Sequence, residues 1–362
     1  MATVLIVSKP LSPPWNDGSK NLARDVAEGM TRHTPHVIST EDSTWRPRRG
    51  SIVLTQNAAR GFSPGPREQL KVLAHLGLGP RVGLWHFFFA PNPKTSTAAR
   101  ALLRLRRMKT VHTVCSRPRD LTRAARVLFA DRTVVLSRAT QAAFADAGLH
   151  VERIPPCAPP LEVPTQAQRA EDRRALGLPV DAPLVVYPGD LEHGEGARRM
   201  LAAHARGRAD EVLVMACRTK TPGAKEAERA LRRAAPERVI WLGETPHIHA
   251  LLGAADVVAL PSSDLYAKVD LPLVLLEAMR LARPVVVAED AAAAEIAEGG
   301  AAVAVAPHAD AVAAAIGDLL GDDAARRAQG ERACVAARER YDARVMVAGY
   351  EALYDDLLGA QR

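Results

Sequence analysis

Short, almost continuously apolar runs alternate along the chain with stretches whose apolar residues recur every three or four positions. The first half holds TVLIVS (3–8), SIVLT (51–55), RVGLWHF (81–87), TVHTV (110–114) and TVVLS (133–137). The second half holds PLVVYPG (183–189), EVLVMAC (211–217), RVIWL (238–242), DVVAL (256–260) and PVVVA (284–288). Between such runs, Leu22, Val26 and Met30, or Leu273, Leu276 and Met279, fall on one face of a helix. Strands that stay apolar instead of alternating are those covered on both faces, as in parallel sheets. Strand–helix alternation from end to end therefore predicts an α/β chain of open, doubly wound sheets.

The series is interrupted once. Residues 155–164, PPCAPPLEVP, carry five prolines in ten positions, which neither a helix nor a central strand tolerates. A fresh β/α series begins at Leu184. The expectation is two Rossmann-like domains, 1–160 and 161–341, followed by a closing helix within 342–362 whose Val345, Tyr350 and Leu353 share a side. Two such halves would face each other across a cleft and offer it their strand carboxyl ends, where open α/β sheets bind ligands.

Composition narrows the class. A chain of 362 residues with 48% hydrophobic and 25% charged residues is globular, which excludes disorder and fibrous repeats. With 6 Phe, 4 Trp and 5 Tyr, the core must be built from Ala, Val and Leu. Lys and Arg number 48 against 41 Asp and Glu, an excess of +7 that suits an anionic partner: nucleotide phosphate, acidic lipid or nucleic acid. Cys115, Cys157, Cys217 and Cys334 are scattered without a Cys-x-x-Cys pair, which reads as reduced thiols. MATVLIVSKPL has neither a basic leader nor a small-residue cleavage site, so the expected location is the cytoplasm.

The densest motif lies at residues 261–290, PSSDLYAKVDLPLVLLEAMRLARPVVVAED. With Tyr187-Pro188-Gly189, Leu242-Gly243, Ala294-Glu295-Ile296 and the amino-terminal SKPLSPPWNDGSKN (8–21), it resembles glycosyltransferase family 4 over nearly the whole chain. The resemblance implies a GT-B fold and transfer of a sugar from a nucleoside-diphosphate donor to a hydroxyl acceptor, with retention at the anomeric carbon. Neither a cofactor nor a metal is implied. Consistently, the chain has no Asp-x-Asp, and its histidines lack His-Glu-x-x-His spacing. The family's pattern is a Glu, seven residues and a second Glu. Here Glu277 holds the second position and Val269 the first, between Lys268 and Asp270. Where the family places an Arg and a Lys after the first strand of the second domain, this chain has Asp190 and Glu195.

Such chemistry needs groups that stabilise the departing diphosphate and fix the ribose and sugar hydroxyls. By resemblance, Glu277 would accept from the ribose hydroxyls, six residues into a helix starting near Asp270-Leu271-Pro272. The amides near Leu271 would face the phosphates. Arg218, Lys220 and Lys268 are the nearest basic candidates for the diphosphate, and a solvated loop lysine is the alternative for Lys268. Asp270 is either a sugar contact or the helix N-cap. His112 resembles the family's donor-sugar histidine, and a buried sheet histidine is the other reading. Gly18 would open a helix whose N-terminus faces an anion. Phe87–Phe89 read as core. RALLRLRRMK (100–109) has five basic residues interleaved with leucines, suited to peripheral contact with an anionic membrane or to plain solvation. No nucleic-acid motif accompanies it. Two other readings stand beside transfer: a non-catalytic scaffold of the same fold, motivated by Val269, Asp190 and Glu195, and a nucleotide-sugar epimerase.

Overall fold

In a computed structural model that describes residues 1–57, 64–90, 93–219, 221–265 and 268–359, the chain divides into two compact units. The first takes in residues 1–157, the segment 268–270 and the carboxy-terminal helix. Its strands are β1 (Thr3–Val7), β2 (Thr34–Thr40), β3 (Ser51–Gln56), β4 (Leu84–Phe88), β5 (Lys109–Val114), β6 (Arg132–Val135) and β7 (Glu152–Arg153). They form one parallel sheet in the order β3-β2-β1-β4-β5-β6-β7. Its helices are α1 (Gly18–Gly29), α2 (Pro66–Leu78), α3 (Pro93–Arg106), α4 (Leu121–Val127) and α5 (Arg138–Asp146).

The second unit runs from Ala158 to Asp342 apart from the short segment held by the first. It opens with α6 (Gln166–Ala175) and β8 (Leu184–Tyr187), then α7 (Gly196–His204), β9 (Val212–Met215), α8 (Pro222–Ala234) and β10 (Val239–Trp241). There follow α9 (Ile248–Ala254), β11 (Val257–Leu260), α10 (Leu273–Arg280), β12 (Val285–Ala288), β13 (Val303–Val305), α11 (Ala309–Gly321) and α12 (Asp323–Arg340). This sheet is also parallel, in the order β10-β9-β8-β11-β12-β13. Every residue of β8, β9, β11 and β12 is buried, as the unbroken apolar runs require. In each sheet the strand order reverses once, between β1 and β4 and between β8 and β11.

Three strands lie outside the predicted set: β2, β7 and β13. β2 reads TPHVIST, with only Val37 and Ile38 as an apolar pair, and tertiary pairing makes it a strand. Leu11 donates its N–H to the Ile38 carbonyl at 2.7 Å, and Ser39 Oγ donates to the Leu11 carbonyl at 2.8 Å.

The terminal helix α13 (Ala343–Leu358) packs in the first unit. Its buried face is Met346, Val347, Tyr350, Leu353, Tyr354 and Leu357. Val345, expected on that face, is 50% exposed, because the helical stripe runs one position later. The Glu351 carboxylate, buried, accepts the N–H groups of Thr31, Arg32 and His33 at 2.8, 2.6 and 3.1 Å. Beside it, His86 Nδ1 is 2.6 Å from the Tyr354 hydroxyl, and Tyr350 and Thr113 hydroxyls lie 3.0 Å apart. A side chain at Gly29 would meet Val347 at 2.5 Å, so only glycine lets α1 and α13 approach this closely.

Candidate functional site

The reversal between β8 and β11 is where an open parallel sheet forms a ligand crevice at its strand carboxyl ends. Two loops leave it, 188–195 after β8 and 261–272 after β11. The first is compressed against the second. A Cβ at Gly196 would lie 1.9 Å from Ser262 Oγ, and one at Gly194, where φ is +76°, would lie 2.2 Å from the Asp264 carbonyl. Tyr187, fully buried at the end of β8, donates its hydroxyl to the Asp190 carbonyl at 2.8 Å and lies 3.5 Å from Ser262 Oγ. The Asp190 carboxylate accepts the N–H groups of Glu192 and His193 at 2.8 and 3.3 Å. Glu195, at φ +56°, precedes α7 as its N-cap and lies 3.6 Å from Arg198. Asp190 therefore serves its own loop, and both residues that replace the family's cations are acidic.

Helix α10 starts at Leu273, with Pro272 as its N-cap and no side-chain cap. The helix thus starts one to three residues after the expected Asp270-Leu271-Pro272. A residue before proline is held out of the helical region, which excludes a helical Leu271. Leu271 is fully buried in the second unit's apolar core. Glu277, in the middle of α10, is 8% exposed, and its Oε2 lies 3.6 Å from Nε2 of His249 on α9. Arg218, just beyond β9, lies 3.7 Å from Glu244. Lys220 falls outside the described residues.

The segment 268–270 belongs to the first unit. Asp270 is buried, and its carboxylate accepts the Arg117 N–H at 2.9 Å and the Ser137 hydroxyl at 3.3 Å. Its N–H donates to the Cys115 carbonyl at 3.2 Å. Burial pushes its carboxyl above the ordinary range, against the pull of these donors. Asp270 is accordingly not the cap of α10. Val269 sits in the first unit's apolar cluster with Cys115, Ile154 and Cys157, and the Lys268 carbonyl accepts from Ser116. Lys268 itself is half-buried.

Elsewhere in the first unit, Gly18 is the first residue of α1, capped by Asp17. The Asp17 carboxylate takes the Lys20 N–H at 3.1 Å, the Ser19 hydroxyl at 2.6 Å and the Lys9 ammonium at 2.7 Å. Burial alone would raise its pKa, but Lys9 and the hydrogen bonds hold it down at about 2. An acidic group of the chain itself thus occupies this helix N-terminus. His112 lies inside β5, paired with Phe87 and Thr133, and is fully buried against the rings of Phe89 and Phe129. Its Nε2 is 3.0 Å from the Phe89 carbonyl, an acceptor, so Nε2 carries the proton. Nδ1 is buried without a hydrogen-bond partner and presents a bare lone pair. Burial lowers the ring's pKa to about 4, so it is neutral at pH 7.

The basic stretch 100–109 is helical only to Arg106, because Arg107 adopts φ +51° and Lys109 starts β5. Arg100 and Arg106 donate to the carbonyls of Leu128 and Gly79, while Arg104, Leu105, Arg107 and Lys109 are exposed. Among the described residues, no three His, Cys, Asp or Glu side chains converge as a metal-ligand set, and no helix is long and apolar enough to cross a membrane. The candidate residues thus fall into two groups. Arg218 and Glu277 stand around the carboxyl ends of the second sheet, whereas His112, Asp270, Lys268 and Gly18 belong to the first unit. Tyr187 and Ser262, which back the β8 loop, lie in the motifs that carry the family resemblance but were given no role from the sequence.

Two parallel Rossmann-like sheets in succession are the GT-B class of fold. A family model described as glycosyl transferases group 1 matches residues 182–322, within the second unit. No curated protein matches the chain. Among solved structures, the chain is similar to Anabaena HepE in complex with UDP-glucose, at 19% identity and a TM-score of 0.76, covering 98% of this chain and 100% of that one. It is also similar to the sucrose-phosphate synthase of Thermosynechococcus elongatus, at 20% identity and a TM-score of 0.77, covering 99% and 100%. A third similar structure is the lipopolysaccharide glycosyltransferase WaaG, at 16% identity and a TM-score of 0.70, covering 99% and 100%.

Proposed function

We propose that the protein is a glycosyltransferase that moves a sugar, with retention, from a nucleoside-diphosphate sugar to a hydroxyl acceptor, without a metal or other cofactor. The observation that carries this reading is the β8/β11 switch point, with Glu277 on α10 beside it, inside the stretch that matches the glycosyl transferase family model. UDP-glucose in HepE supports a nucleotide sugar as the donor.

In this reading, the second unit binds the donor. Glu277 accepts from the ribose hydroxyls, and the N-terminal amides of α10 with Arg218 and Lys220 stabilise the diphosphate as it departs. The bond from the anomeric carbon to the phosphate oxygen breaks as the acceptor oxygen bonds to that carbon, and the acceptor's proton leaves with the phosphate. His112, which resembles the family's donor-sugar histidine, is neutral and fully buried against Phe89 and Phe129, so a sugar contact at its Nδ1 would require that packing to open. The first unit serves the acceptor, which is a small molecule, a glycan or a lipid-linked sugar. The exposed Arg104, Leu105, Arg107 and Lys109 suit peripheral contact with an anionic membrane from the cytoplasmic side.

Glu277→Ala tests the donor role. Loss of a charge-assisted hydrogen-bond set is worth about 1.5–3 kcal/mol, so affinity for UDP, GDP or ADP should fall by roughly ten- to a hundredfold in calorimetry. Unchanged affinity removes Glu277 from the site. A second reading, a non-catalytic scaffold of the same fold, is favoured by one observation. The position of the family's first Glu is Val269, packed in an apolar cluster, and the neighbouring Asp270 is committed to Arg117 and Ser137. Slow hydrolysis of the nucleotide sugar without acceptor identifies the transferase. Donor binding with neither hydrolysis nor transfer identifies the scaffold.

A further inference from the structure

At the amino end of the second sheet, away from the loops that follow β8 and β11, four arginines surround one buried aspartate. Asp256 precedes β11, and its Oδ2 accepts the Leu184 N–H at the start of β8 at 2.9 Å. Arg173 and Arg169 of α6 reach its two oxygens at 2.8 and 2.7 Å, and Arg326 of α12 lies 4.0 Å away. Arg283, just before β12, donates to the carbonyls of Leu281 and Ala255 at 3.0 and 3.3 Å. The only other carboxylate ion-paired here among the described residues is Asp323, which is 69% exposed and bonds Arg326 at 2.7 Å.

Guanidinium groups do not give up their protons in proteins, so the cluster carries more fixed positive than negative charge. The four arginines are not equivalent. Arg173 is spent, since its nitrogens reach the carbonyls of Ala254, Val180 and Ala182 as well as Asp256. Arg169 Nε, by contrast, is buried without a hydrogen-bond partner, and no carboxylate ion-pairs with Arg283 among the described residues. Burial, and then Arg169, press the Arg283 pKa down to about 10 although Asp256 pulls it up. Its guanidinium is held by two backbone carbonyls and, among the described residues, by no ion pair. Planar forks converging from a helix, a strand entry and a second helix match the oxygens of a tetrahedral oxyanion.

We propose that Arg169, Arg283 and Arg326 bind a phosphate group, as free phosphate or as a phosphomonoester, at the amino ends of β8, β11 and β12, with Arg173 holding Asp256 in place beneath it. The site is at the opposite end of the sheet from the proposed donor site and stands whether or not that donor reading is correct. Arg326 is 19% and Arg169 14% exposed, so both side chains reach solvent.

The test is calorimetry with inorganic phosphate and, separately, glycerol phosphate, at ionic strength matched with chloride, on the full chain and on Arg326→Ala and Arg283→Met. The wild type should bind at least one of the two saturably, and the tighter of them names the source. Both variants should bind about tenfold or more weakly, from the loss of one charged hydrogen-bond partner. Arg283→Met should also be no less stable than the wild type without phosphate, which separates lost binding from lost folding. No saturable binding by the wild type, or undiminished binding in both variants, overturns the proposal.

Discussion

Asp17 offers a direct test of how the first unit holds the loop after β1. The residue caps α1, is 9% exposed, and binds Lys9, Ser19 and the Lys20 N–H at 2.7, 2.6 and 3.1 Å. Its pKa, lowered from 3.8 to about 2, corresponds to about 2 kcal/mol of stability carried by the ionised form. Asp17→Ala should therefore destabilise the first unit at pH 7 by about 2–3 kcal/mol, a lost N-cap alone being worth about 1. The folded pKa is depressed, so the contribution is complete above the unfolded pKa near 4 and fades as pH falls toward 2. Three of the tryptophans, Trp15, Trp45 and Trp85, lie in the first unit. Urea unfolding followed by tryptophan fluorescence in a Trp241→Phe background reports that unit. The gap between wild type and Asp17→Ala should narrow by about 1 kcal/mol between pH 7 and pH 3. A gap equal at both pH values would refute the ion-pair account and leave only lost packing.

Two further outcomes follow from the buried groups. His112, with its pKa held at about 4 by burial against 6.5 in the free state, makes protonation costly, so as pH falls from 6.5 toward 4 the fold loses up to about 3 kcal/mol. Urea midpoints of His112→Gln should accordingly change less between pH 7 and pH 4.5 than those of the wild type, and an equal slope would show that the ring does not stay neutral when folded. Gly196→Ala should push Ser262 Oγ away from a Cβ that would otherwise lie at 1.9 Å, at a cost of about 1–3 kcal/mol, and weaken nucleotide binding about tenfold. Adding Ser262→Ala should restore part of that affinity, and unchanged binding in Gly196→Ala would separate the β8 loop from the donor site.

The sequence by itself determined the class of fold. Continuous apolar strands such as VVAL and VVVA can only be buried between two layers of helices, and local pattern suffices to reveal that. It also marked the prolines near the boundary between the two units. Other features came from distant partners. β2 is a strand because β1 and β3 pair with it, and the carboxylate of Glu351 on α13 is set by the amides of Thr31, Arg32 and His33, some 320 residues earlier. Asp270 is tied to Arg117 and Ser137, more than a hundred residues earlier in the chain, and no spacing rule encodes such a bond. The arginines around Asp256 come from α6, the entry to β12 and α12, and only folding brings their like charges together. Periodicity reports which face of an element is covered, whereas the three-dimensional arrangement decides which polar groups meet there, because hydrogen bonds and charges act at distances of a few ångströms that sequence separation does not record.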